Sequence, residues 1–173
     1  MSDQEYLTAL ISKVVAKYYG IGEANPFHED YDSIQLVEHL TFVTKKVIEK
    51  SNELNVKVSI AVANTTGEPI FFYQTPGSIL ASNELSKRKA YTAVAMKNST
   101  KALHELVQPN RALYQLETVT DGKIVTFAGG VPLFDKHDRL LGGVGISGAP
   151  IPEDDHLLAT LFVTEFRKQC FGI

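Results

Sequence analysis

The sequence predicts an α+β fold: a five-stranded antiparallel sheet flanked by helices. Three observations carry this. Short valine-rich runs are joined by tight turns at Asn64–Gly67, Asp121-Gly122 and Asp135–Asp138, which favours antiparallel pairing. Helical patterns fall between these runs instead of alternating with each strand, so a doubly wound parallel sheet is not expected. The stretch Phe127–Ala149 places six glycines within 23 positions yet keeps Val131, Leu133, Leu141, Val144 and Ile146, so it is structured chain with closely approached backbone and not a linker.

The elements follow in order. Leu7, Leu10, Ile11, Val14 and Tyr18 recur at helical spacing, giving an extra N-terminal helix over Asp3–Tyr19. Ile21–Asp30 is a connector, so residues 1–30 form a helix and connector ahead of a single domain, 31–173. Leu36, Leu40, Val43 and Val47 line one face of a helix over Ser33–Leu54. Strands are expected at Lys57–Ala63 and at Pro69–Tyr73, where proline suits only a strand start. A helix over Asn83–Lys97 and a further turn or two over Ser99–Leu106 lead to short strands at Ala112–Leu116, Lys123–Ala128, Gly130–Phe134 and Leu140–Ser147. Pro152 and Glu153-Asp154-Asp155 open the last helix, where proline and acidic residues suit a helix N-terminus.

The chain of 173 residues is long enough for one compact domain with a real core. A net charge of −3 and a single short basic cluster, Lys87-Arg88-Lys89, argue against nucleic-acid binding. Cys170 is the only cysteine, which excludes an intramolecular disulfide and a cysteine metal cage. Neither a secretory leader nor a membrane-length apolar run is evident, and the expectation is a soluble cytoplasmic protein.

Four features could carry chemistry. Lys89 lies four residues after Leu85 and four before Ala93, on or beside the buried helix face. Its amine either snorkels to water or points into a pocket as an anion anchor. Gly129-Gly130 either forms a bulge or bares N–H groups toward an anion. Gly145-Ile146-Ser147-Gly148 is not a nucleophile elbow, because glycine follows the serine directly and no parallel sheet surrounds it. His39 shares the apolar face of Leu36 and Val43. It is either a hydrogen-bonded core residue or a ligand, and an imidazole on an apolar wall suits a haem iron. No GxGxxG before a helix, phosphate-binding loop or HExxH spacing is present.

Taken in order, SIAVANTTGEPIFF, KAYTA at Lys89–Ala93, FAGGVPL at Phe127–Leu133, LLGGVGISGA at Leu140–Ala149, and Asp155 four residues before Ala159 resemble the GlcG/HbpS-type haem-binding family. That family also occurs as the C-terminal domain of PduO-type corrinoid adenosyltransferases. The resemblance covers about Ser33 to Phe166. It implies a profilin-like fold, a homo-oligomer, and haem or a related tetrapyrrole as ligand. It also implies that Lys89, Thr92, Gly129, Gly130, Pro132, Ser147 and Asp155 surround or support the ligand pocket. Asn64 departs from the family's usual aspartate after the first strand.

The function expected on these grounds is a small-molecule binding protein, accessory to diol, glycerol or glycolate metabolism. His39 is the candidate iron ligand. An enzyme acting on a small carboxylate or aldehyde, and a ligand-free assembly or regulatory module, are the alternatives.

Overall fold

The computed structural model describes residues 33–172. The expected helix at Asp3–Tyr19, its connector and His28 lie outside the described residues. The elements are α1 (Ser33–Glu53), β1 (Ser59–Asn64), β2 (Pro69–Gln74), α2 (Leu80–Met96), α3 (Thr100–His104), α4 (Leu116–Val119), β3 (Gly130–Phe134), β4 (Leu140–Ser147) and α5 (Pro152–Phe171).

The sheet has the order β2-β1-β4-β3, with every neighbouring pair antiparallel. β1 and β4 are central, and Ala61 sits opposite Gly145. Pro132 lacks an N–H and is tolerated because β3 is an edge strand. Asp135 builds the β3–β4 turn: its carboxylate accepts from the backbone N–H groups of His137 at 2.7 Å and Arg139 at 2.9 Å, and from Arg139 Nε at 2.6 Å. Asn64 turns β1 into β2 in the same way, accepting from the amides of Thr66 and Glu68.

The sheet has four strands, not five, and two of the six candidate strand segments are not strands. Ala112–Leu116 is not a strand: it runs through turns, and Gln115 at φ 75° leads into α4. Lys123–Ala128 is not a strand either. The Val125 amide donates to Thr92 Oγ1 at 3.0 Å and the Thr126 amide to Glu117 Oε1 at 2.9 Å, so side chains take the bonds a ladder would need. The helix expected from Asn83 begins three residues earlier, at Leu80.

Two layers cover the sheet. On one face α1 and α5 bury Leu40, Val43, Val47, Leu158, Phe162 and Phe166 against Ile60, Val62, Val144 and Ile146. On the other face α2 lies against Ala61 and Ala63 through Ala90 and Val94. β4 serves both layers by its two-residue period. Val144 and Ile146 point to α1 and α5, whereas Gly143 and Gly145 point to α2.

Candidate functional site

The glycine-rich strand owes its composition to α2. A Cβ on Gly143 would meet the Ala90 carbonyl oxygen at 2.7 Å, and one on Gly145 would meet the Ala90 nitrogen at 2.5 Å and strike the Ser86 carbonyl. The buried side of α2 is correspondingly small, with Ser82, Ser86, Ala90 and Ala93. Helix backbone therefore rests almost directly on strand backbone, and these glycines do not line an open cavity.

Lys89 lies in this contact and is 0% exposed. It does not snorkel. Its Nζ reaches Asp155 Oδ2 at 2.8 Å, the Ile146 carbonyl at 2.9 Å and Ser147 Oγ at 3.3 Å. An ammonium has three N–H donors, and three acceptors surround this one. The Phe127 ring lies 5.0 Å from the same nitrogen. Asp155, in the first turn of α5, also accepts from the Ala149 amide at 3.0 Å. Burial pushes the Lys89 amine below the usual lysine range and the Asp155 carboxyl above the usual carboxylate range. Their mutual attraction opposes both shifts.

Gly129 and Gly130 close this cluster. Gly129 sits at φ 120°, and a Cβ there would lie 2.9 Å from Lys89 Nζ. The Gly130 amide donates to Thr100 Oγ1 at 2.8 Å, so it is already paired within the chain. Thr92 Oγ1 donates to the Arg88 carbonyl and accepts from Val125, which ties the 124–126 segment to α2.

The structure thus brings together Lys89, Gly129, Gly130, Ser147 and Asp155, with Thr92 one turn along α2. Pro132 follows on β3, half-buried and opposite Gly143. Phe127, Thr100 and the Ile146 carbonyl complete the cluster and were not singled out from sequence. Phe127 stands beside the glycine pair in FAGG and was legible as a neighbour. A carbonyl acceptor leaves no mark in sequence.

His39 is elsewhere, on α1 and so on the opposite face of the sheet. It is half-buried, and its Nδ1 lies 3.3 Å from Cys170 Sγ near the end of α5. Phe42 and Lys46 follow it at helical spacings of three and seven residues. Phe42 is 43% exposed, and Lys46 Nζ lies 5.9 Å from its ring centroid. Further along the solvent side of α1, Ile34 and Val37 are exposed. Among the described residues no group of three or more His, Cys, Asp or Glu side chains could hold a metal ion, and no helix is long and apolar enough to cross a membrane.

A family model described as "Haem degrading protein HbpS-like" matches residues 38–163. The chain belongs to the HbpS-like family. The corrinoid adenosyltransferase PduO of Citrobacter freundii is 37% identical over 151 residues, which cover 87% of this chain and 44% of that protein. The chain spans about half the length of the PduO relatives it matches. An uncharacterized 15.0 kDa protein from the dhaT–dhaS intergenic region of the same organism is 32% identical, over 75% of this chain and 87% of that one. Among solved structures, the crystal structure of a PduOC:heme complex superposes with a TM-score of 0.70 at 38% identity, covering 74% of this chain and 91% of that one. The HbpS-like family carries the α+β architecture of helices on an antiparallel sheet seen here.

Proposed function

We propose that this protein binds haem or a related tetrapyrrole and is accessory to diol metabolism. The observation that carries the proposal is the 38% identity over nearly the whole of a domain crystallised with haem. The dhaT–dhaS relative supports the metabolic setting.

His39 on α1 is the iron ligand in this proposal. A metal-bound imidazole commonly has a further group beside it that fixes its ring, and Cys170 Sγ stands 3.3 Å from His39 Nδ1. The exposed Phe42 ring offers apolar contact to a macrocycle, and Lys46, which lies 3.5 Å from Glu49 Oε2, would have to exchange that partner to meet a propionate. When bound, haem would supply a redox-active or ligand-sensing iron; the protein's own residues hold and orient it. In the same proposal Lys89, Thr92, Gly129, Gly130, Pro132, Ser147 and Asp155 tie α2, β3, β4 and α5 together and support the fold that carries His39 on its other face. Their polar atoms are bonded to one another and to backbone, which suits a supporting role better than ligand contact.

Hemin added to the protein should give a saturable Soret shift, and His39→Ala should abolish it. An unshifted band in the parent protein would overturn haem binding. An unchanged shift in the variant would remove His39 from the role.

A further inference from the structure

A concave surface lies on the α2 side of the sheet, away from His39. It is a groove of about 390 Å³ between α2, β1, the start of β2 and the turn at residues 121–123. Ala61, Ala63 and Ala90 lie buried beneath it, and the Tyr91 ring and Pro69 form its walls. Tyr91 packs against Gly67, where a Cβ would come within 2.7 Å of the ring, so the wall is held by the β1–β2 turn. The volume lies within the range of small-molecule sites.

The rim is cationic. Lys87, Arg88 and Lys123 surround it, with Glu84 as the one carboxylate. Glu84 is bound to Arg88 Nε at 2.9 Å. Arg88 Nη1 meanwhile donates to the Gly122 carbonyl at 2.6 Å, and this clips the turn carrying Lys123 onto α2. Lys87 Nζ leans over the Phe72 ring at 4.9 Å. Among the described residues neither Lys87 nor Lys123 forms an ion pair with a carboxylate. Two lysines without acid partners among the described residues therefore flank an apolar wall in a chain of net charge −3.

We propose that this groove binds a small organic anion, with the carboxylate or phosphate head between Lys87 and Lys123 and a planar apolar body against the Tyr91 ring and Pro69. Arg88 positions Lys123 and contributes charge. Its Nε and Nη1 are already bound, so the two lysines carry the head-group contact. The site is independent of the haem proposal, because α1 and His39 lie across the sheet.

Isothermal titration with phenyl phosphate and with benzoate tests it, and the tighter of the two identifies the head group. Inorganic phosphate and benzyl alcohol are the controls that lack one half of the ligand. The expected result is saturable binding of phenyl phosphate or benzoate, at least tenfold tighter than either control. The Lys87→Ala/Lys123→Ala double variant should weaken it at least tenfold. Both lysines are exposed, so the variant should keep its circular dichroism spectrum, and Tyr91→Ala offers a second, charge-independent loss. Absence of saturable binding by both probes overturns the site. So does binding that the double variant leaves unchanged, or inorganic phosphate binding as well as phenyl phosphate. Hemin titration of the double variant should match the parent. Loss of the Soret shift there, with no small-anion binding, would reassign the groove to the tetrapyrrole and overturn this inference alone.

Discussion

The two faces of the sheet are built on opposite terms. Against α1 and α5 the sheet presents branched and aromatic side chains, and stability there comes from apolar area removed from water. Against α2 it presents glycine and alanine, so that backbones touch and one lysine–aspartate pair sits sealed between layers. A face packed by large side chains can relax around a lost methyl group. A face packed backbone to backbone has nothing to move. Neighbouring residues of one strand, Gly145 and Ile146, sample the two regimes.

The largest expected effect follows from that neighbour pair. Gly145→Ala adds one carbon against the Ser86 carbonyl and the Ala90 nitrogen and should cost about 4 kcal/mol or more, the range of exceptional lesions. Ile146→Val removes one carbon from the other face and should cost only about 1 kcal/mol. Urea denaturation of both variants measures the ratio. Equal costs would erase the distinction between the faces.

Next in size is the clasp. Lys89→Met leaves Asp155 buried without its partner and should cost about 3–5 kcal/mol, and Asp155→Leu should do the same in reverse. The double variant should recover much of that loss, because no uncompensated charge remains. A double variant as unstable as the sum of the singles would show no coupling between the two groups and would overturn the clasp.

The smallest effects concern pH, and they place acid lability outside the clasp. Burial raises the Asp155 carboxyl, so its contribution to stability is present below the ordinary aspartate value near 3.8 and is lost as pH rises through its folded value. Asp135 behaves oppositely. Burial alone would raise it, but the N–H groups of Arg139 and His137 and the Arg139 guanidinium outweigh this and lower it. Its contribution is present above 3.8 and disappears as pH falls through the folded value. Burial, then Lys101, lowers His156 from 6.5 against the pull of Glu153, and its Nδ1 is buried without a hydrogen-bond partner among the described residues. That group lowers stability as pH falls below 6.5. Stability measured from pH 7 to pH 5 should therefore decline less in His156→Gln. The gap between the parent and Asp135→Ala should narrow below pH 4. A parent curve flat across both windows would contradict the assignment.

Local pattern was enough for much of the architecture. The apolar stripe of α1, the strand starting at Pro69, the turn at Asp135–Asp138 and the proline-led α5 all depend on contacts within a few residues, and periodicity or turn chemistry reports such contacts. The segment Lys123–Ala128 failed as a strand for a non-local reason. Val125 and Thr126 have strand-like composition, but their amides bond to Thr92 and Glu117, and no neighbour ladder remains to be made. Lys89 was legible as a buried-face lysine and Asp155 as a helix-start acid. Only folding brought together two residues 66 positions apart in sequence.

By itself the sequence determined the α+β class and the family likeness, because these follow from local spacing and ordered motifs. Tertiary structure decided what the residues of the clasp do. It used the glycines for helix-on-strand contact, surrounded the lysine's three donors with internal acceptors, and set His39 across the sheet. Those outcomes depend on which backbones meet at van der Waals distance, a property of the packed layers that no window of neighbouring residues contains.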